Sequence, residues 1–520
     1  VRTTVPARRI AAAAPAGARL LAALGLLLLL LVAAPLLARP GGGESFSGGG
    51  SSGGGSGGGG DGGCVFLLIR LWFELVIRYP VVGIPLTVVI IVLALRHAKK
   101  TQLARVSSSW DSGPPGIPRP LAPAGAGARD LDVIRQLDPD FSAVAFEDFA
   151  YALFARAHES RANGAELDAL APYLSAAVRA HLAGRQPVGA PVSGVVIGAM
   201  KVLEVALPGA SPPPAGAPQV VVGLEIEANL TVGAPAAQHT HYLRERWRLV
   251  RDAGVRSKPP AKVRTFQCPN CGAPLGAQNS ERCEYCGQAT AGGRFDWSVE
   301  SIVLVHLEER PPAIGADVQE VGTDYPTIVH PEAGARWAEL LAADPATNDQ
   351  TLVARLGLIY GELNAAWTAA DLPRIRPFVS DSLFGYLRYW IDAYEAQGLR
   401  NVLEGMRIER WKIAKVVRDR YFDAVTFRIW GSGRDYLVRK ATGERLSGDP
   451  RRDRAYSEYW TLIRGAAVRG APRTDKACPN CGAALDVNMA GECAHCGSRV
   501  TSGDFDWVLS KIEQDDSYSG

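Results

Sequence analysis

Cysteine is almost absent from this chain outside two short loops, methionine occurs three times, histidine eight times, and neither sign of charge prevails. With 56 basic and 53 acidic side chains the net charge over 520 residues is +3, which excludes a global field that would declare a nucleic-acid partner. The histidines are scattered, and no nucleophile is legibly paired with a base. A glycine-rich tract exists, but outside any strand-to-helix context, so it is no phosphate loop. No catalytic residue is assigned and no enzymatic activity is expected. Nine cysteines, eight of them confined to the two loops, make metal-site arithmetic more than a disulfide framework and point to a reducing compartment. Only Cys64 stands apart.

The loops read "CPNCGAPLGAQNSERCEYCG" from Cys268 and "CPNCGAALDVNMAGECAHCG" from Cys478. Each holds Cys-x2-Cys, eleven residues, then Cys-x2-Cys. Four thiolates leave no open coordination position, so a metal held by Cys268, Cys271, Cys283 and Cys286, or by Cys478, Cys481, Cys493 and Cys496, is structural. Two structural zinc ions are the expectation; the same ligands also suit a tetrathiolate iron site or redox-active or disulfide-bonded pairs. Between the inner cysteines the loops carry one basic residue in total, so nucleic acid is not an expected partner.

The first 129 residues differ in character from the rest. Residues 1–38 place arginines before the apolar run "LLAALGLLLLLLVAAPLLA", the order of a secretory signal or of a first transmembrane helix. Residues 39–63 are a Gly/Ser tract that can bury nothing and reads as a tether. Residues 64–95 combine Arg70, Glu74 and Arg78, spaced by four, with an uncharged run from Tyr79 to Leu95 that reaches about 25 Å as a helix. An interfacial segment leading into a membrane span follows. Arg96, Lys99, Lys100 and Arg105 come directly after it, and the positive-inside rule then puts the remainder on the cytoplasmic face of the cell (inner) membrane. A Pro/Gly-rich linker fills residues 96–129.

Beyond it the chain repeats itself. "LDPDFSAVAFEDFAYALFARAHE" from Leu137 aligns with "ADPATNDQTLVARLGLIYGELNAAW" from Ala343, "LAPYLSAAVRAHL" with "IRPFVSDSLFGYL", and "RERWRLVR" with "SEYWTLIR". The cysteine loop follows in each copy, trailed by Phe295-Asp296-Trp297 and Phe505-Asp506-Trp507, whose aromatics are expected to pack loop onto domain. Asp138-Pro139 and Asp344-Pro345 suggest helix starts. Apolar residues recur at helical spacing over Phe146, Phe149, Ala150, Leu153, Phe154 and Ala157, and again over Leu383, Leu387, Trp390, Ile391 and Tyr394. Strict alternation then takes over, with Leu224, Ile226, Ala228 and Leu230 against Glu225, Glu227, Asn229 and Thr231, and with Val425, Phe427 and Ile429 in the second copy. Helices first and antiparallel strands afterwards predict an α+β fold with helices on one face of a curved sheet.

The signal, the glycine tract, the short membrane helix, the "DPDF" opening at Asp138 and "AAWTAADLPRIRPFVSDSLFGYL" from Ala365 together resemble the Tim-forty-four-like domain family. That family is named for the membrane anchor of the mitochondrial import motor. The resemblance implies two tandem cystatin-like or nuclear-transport-factor-like cones with a hydrophobic pocket between helices and sheet, and contact with anionic lipid. Chaperone tethering does not carry over, because the long charged helical segment is missing. The expected layout is domain 1 at 130–265, ribbon 1 at 266–310, a linker at 311–330, domain 2 at 331–475 and ribbon 2 at 476–520. Arg400 to Arg454 holds 15 basic and 8 acidic residues and is the candidate lipid-facing surface. The expected function is a membrane-anchored cytoplasmic scaffold with a protein partner, linked to membrane protein transport or assembly. A small-molecule or lipid-binding protein, or an enzyme, using the cone pocket is the alternative, and it requires polar groups converging inside the cone.

Overall fold

The computed structural model describes residues 130–520 apart from 210–216, 235–236, 263–265, 275–281, 310–321, 516 and 519. The signal, the glycine tract, Cys64, the uncharged run from Tyr79 to Leu95 and the linker at 96–129 lie outside the described residues. Among those described, no helix is long and apolar enough to cross a membrane.

Each unit opens with helices. In the first, α1 (Ala143–Ser160), α2 (Gly164–Ala169) and α3 (Ala176–Ala183) are capped by Ser142, Asn163 and Ser175, whose side chains accept backbone N–H groups of the first turn. In the second, α4 (Ala333–Ala343), α5 (Asp349–Ala369), α6 (Leu372–Ile375) and α7 (Asp381–Ala396) follow one another; Asn348 and Thr351 form a capping box on α5 and Ser380 caps α7. The long helices thus begin several residues after the Asp-Pro pairs expected to start them. The two aspartates do other work: Asp138 faces Arg251 at 2.9 Å and Asp344 faces Arg464 at 3.0 Å, all four nearly inaccessible to solvent.

The strands follow. In the first unit β1 (Val192–Ala206), β2 (Gln219–Val232), β3 (His239–Asp252) and β4 (Ser298–Glu309) form an antiparallel sheet in sequence order. In the second, β5 (Leu399–Arg418), β6 (Phe422–Arg439), β8 (Arg454–Gly465) and β9 (Val508–Gln514) do so, with the short β7 (Arg445–Gly448) paired to β6. The cysteine loops lie between β3 and β4 and between β8 and β9. Each ribbon is therefore an insertion, and the chain returns from it to add the last strand of the sheet.

The helices cover one face. Phe146, Phe149, Leu153, Phe154 and Ala157 of α1 meet Leu224, Ile226, Ala228, Leu243 and Trp247 in one core, and α5 and α7 meet Val425, Phe427, Ile429 and Trp460 in the other. The alternation in β2 predicts polar residues on a wetted face, yet Glu227 and Asn229 are 3% and 4% exposed. In β6, Arg428 is fully buried and pairs with Asp515 at 3.0 Å. These faces are covered. Val196 and Tyr242 of the first unit belong to the second unit's core cluster, and Tyr242 donates to Glu227 at 2.6 Å.

Acidic groups of the first unit meet basic groups of the second along this contact. His330 lies 3.6 Å from Asp130, Arg420 reaches Asp140 at 2.5 Å, and Arg336 and Lys511 pair with Asp132 and Glu147. Arg135 donates to the carbonyl of Arg418 at 2.6 Å. Burial alone would raise Asp130, but the nearby His330 and the backbone N–H of Asp132 hold it at about 2.

Candidate metal centres

Each half of a ribbon is a reverse turn built on a cysteine. Gly272 N–H donates to the Cys268 carbonyl at 2.8 Å and Cys268 N–H to Ala273 at 2.8 Å. Gly482 and Cys478 repeat the pattern at 2.9 and 2.7 Å, and Cys283–Gly287 and Cys493–Gly497 form the same turn in the second halves. The closing glycines have φ of 75°, 67°, 76° and 71°. A β-carbon is disfavoured in that left-handed conformation, which is why glycine follows each cysteine pair.

The turns bring the thiols together. In each ribbon the four Sγ atoms lie within 4.8 Å of one another. Cys268 and Cys286 are 3.9 Å apart, Cys271 and Cys283 3.8 Å, and Cys478 and Cys496 3.9 Å. A disulfide needs about 2.05 Å, so no pair is bonded. Four sulfurs about 2.3 Å from a central ion are about 3.8 Å from each other, so the spacing fits a tetrahedral tetrathiolate. All eight predicted ligand positions converge as two groups that can hold metal ions. Asn270 and Asn480 donate amide N–H groups to Cys286 and Cys496 at 3.4 and 3.5 Å. The Asn270 bond draws Cys286 down to about 6, and backbone donation from Ser498 draws Cys496 to about 6, while burial pushes Cys268 up to about 12.

The repeated Phe-Asp-Trp joins ribbon to sheet. Trp507 is fully buried in the second core, Phe505 packs on the ribbon's Cys478, Val487, Cys493 and Val500, and Asp506 accepts from the backbone of Arg473 at 3.1 Å. Trp297 meets Phe146 edge-on at 4.9 Å beneath the Arg251 guanidinium. On the far side Arg376 holds ribbon 2 through the Met489 carbonyl at 2.9 Å, and Asp381 pairs with Arg499. Ribbon 2 is thus held to its domain by apolar packing, backbone hydrogen bonds and ion pairs.

Sequence reading gives His239 and His241 no role, and both lie in β3, His239 exposed and His241 partly covered. It also passed over a polar group inside the first unit. There His158 Nε2 lies 3.2 Å from Glu245 Oε2, Trp247 donates to the same oxygen at 2.7 Å, and Arg185 pairs with the other carboxylate oxygen. Glu-x-Trp in the aligned strands "RERWRLVR" and "SEYWTLIR" was the available signal, because Trp460 likewise donates to Glu458 at 2.8 Å.

The fold and sites define a tandem α+β protein whose sheets each receive a cysteine ribbon. Residues 334–472, the second unit from α4 to just beyond β8, match the Tim44-like domain family. The match comprises one copy, and the first unit and the ribbons lie outside it. A search of curated proteins finds no match to the chain.

Proposed function

We propose that this chain is a membrane-anchored scaffold, with both units and their zinc ribbons on the cytoplasmic side of an inner membrane and with no catalysis of its own. The first unit is read as a second Tim44-like domain. The observation that carries the proposal is the Tim44-like match at 334–472, a domain that at family level goes with a membrane-associated scaffold or import-related role. It stands in the same chain as the anchor-like segment at 64–95.

The basic stretch Arg400–Arg454 supports lipid contact through part of its charge only. Arg407, Arg418, Arg420, Arg428, Arg434, Arg439, Lys440 and Arg454 are engaged in ion pairs. Arg400, Arg410, Lys412, Arg451 and Arg452 are exposed and form no ion pair with a described residue. Arg410 and Lys412 lie on the edge strand β5, on the face opposite Trp411, where the Arg410 guanidinium stacks on Trp430 at 3.9 Å and both cations stay exposed. At about 1 kcal/mol per cation near anionic lipid, these side chains can orient the second unit on the bilayer.

The test is sedimentation of a chain lacking residues 1–129, which retains both cores, with neutral and with anionic vesicles. Binding to anionic vesicles that weakens as salt rises, and falls further on replacing Arg410, Lys412, Arg451 and Arg452 with Gln, is the expected result. Equal binding to neutral vesicles, or none to either, overturns the lipid-facing role.

A further inference from the structure

The two units are copies, yet their interiors differ at three equivalent positions. Equivalence is set by contacts that recur: the Asp138–Arg251 and Asp344–Arg464 pairs, Phe154 against Trp247 at 5.0 Å and Tyr360 against Trp460 at 5.5 Å, and Ser175 and Ser380 donating to Val299 and Leu509 at 3.0 and 2.9 Å. On that alignment His158, Arg161 and Arg185 stand where the second unit has Asn364, Trp367 and Trp390. Two indoles, both nearly inaccessible, fill the second interior where the first holds two guanidinium groups.

Those guanidinium groups are unequally served. Arg185 pairs with Glu245 and lies 2.8 Å from His181 Nε2. Arg161 is 6% exposed, its Nε has no partner, and its side chain makes no hydrogen bond or ion pair with a described residue. Glu245 is the one carboxylate deep in the group, and Arg185, His158 and Trp247 already occupy it. Burial, against the pull of Glu245, lowers the His158 pKa, with Arg185 and Arg161 adding to the effect. His241, at the same end of β3, has an unpartnered Nδ1 and lies 4.0 Å from the exposed Glu309. The C-terminal turn of α1 offsets part of the Arg161 charge, but a helix end carries only about half a charge. A buried arginine keeps its proton and calls for an anion.

The geometry points to an oxyanion-binding site in the first unit, at the end of α1, in which Arg161 binds a carboxylate or a phosphate. His158, Glu245 and Arg185 position the site and exclude water beneath it. This is the convergence of polar groups inside a cone that a binding role requires, and it is confined to the first copy.

Binding is tested on the full chain in detergent with two probes, inorganic phosphate and acetate, by calorimetry and by protection of Arg161 from phenylglyoxal, read by mass spectrometry. The expected result is saturable binding of at least one probe, slowed modification of Arg161 by that probe, and an affinity at least about tenfold weaker in Arg161→Met. Vesicles containing phosphatidic acid, compared with phosphate, distinguish the source: protection by phosphate alone assigns a small free anion, protection by vesicles alone a lipid headgroup, and either supports the site. Neither binding nor protection with any probe overturns it, as does wild-type affinity in Arg161→Met. Should that variant fail to fold, protection in the wild-type chain decides alone. The outcome is independent of the vesicle test on Arg410 and Lys412, which concerns the other unit.

Discussion

Asp138→Ala probes the buried ion pair between Asp138 and Arg251 in the first unit. The carboxylate is fully buried, forms an ion pair with Arg251 Nη2 at 2.9 Å, and accepts from Ser257 N–H at 2.9 Å, from Ser257 Oγ at 2.7 Å and from Asp140 N–H at 3.1 Å. Arg251 is 1% exposed and lies 4.7 Å above the ring of Trp297, the residue that leads the chain from the ribbon back into β4. Truncation leaves this guanidinium buried with its main counter-charge gone, which costs about 3–5 kcal/mol in comparable cases. Arg256, 3.8 Å from Asp138 and largely exposed, loses little. Because opening of the first unit exposes α1, amide exchange of residues 143–160 should accelerate by about 10²- to 10⁴-fold. The equivalent segment of α5, residues 349–369, is held by the Asp344–Arg464 pair and serves as the internal reference. Hydrogen exchange read by mass spectrometry on the full chain measures both. Acceleration of α1 below about tenfold would refute the claim that the pair holds the first unit closed.

Metal analysis should find two ions per chain, and Cys481→Ser should lower this to one while exchange around Cys268–Cys286 is retained; loss of both ions would contradict independent ribbons. A red iron chromophore would reject zinc as the resident ion. Glu227 is pushed up to about 7 by burial, against the bond from Tyr242, while its unfolded value is 4.5. Its neutral form is thus favoured on folding, a contribution present below pH 4.5 and lost as pH rises through 7. Glu227→Gln should therefore gain stability relative to wild type between pH 5 and pH 8, by up to about 3 kcal/mol, in urea midpoints followed at both pH values. A pH-independent difference would show that the carboxylate is solvated and the contact between the units open.

Local patterns carried the elements. Helical spacing over Phe146–Ala157 and alternation over Leu224–Leu230 appear as α1 and β2 because burying one stripe or one face is what those periods allow. The cysteine spacing placed all eight thiols, since turn, glycine and ligand are neighbours in the chain. Three matters belonged to tertiary structure alone. Glu227 and Asn229 read as solvent-facing because alternation does not say that a second unit will cover the outer face. Asp138 and Asp344 looked like helix caps because their arginine partners lie more than a hundred residues along the chain. His158, Arg161, Arg185 and Glu245 come from a helix, the turns that follow helices and a strand, and only folding sets them side by side. Short-range order follows from stereochemistry and hydrophobic period, whereas the pairing of buried charges is settled by which distant segments share one interior.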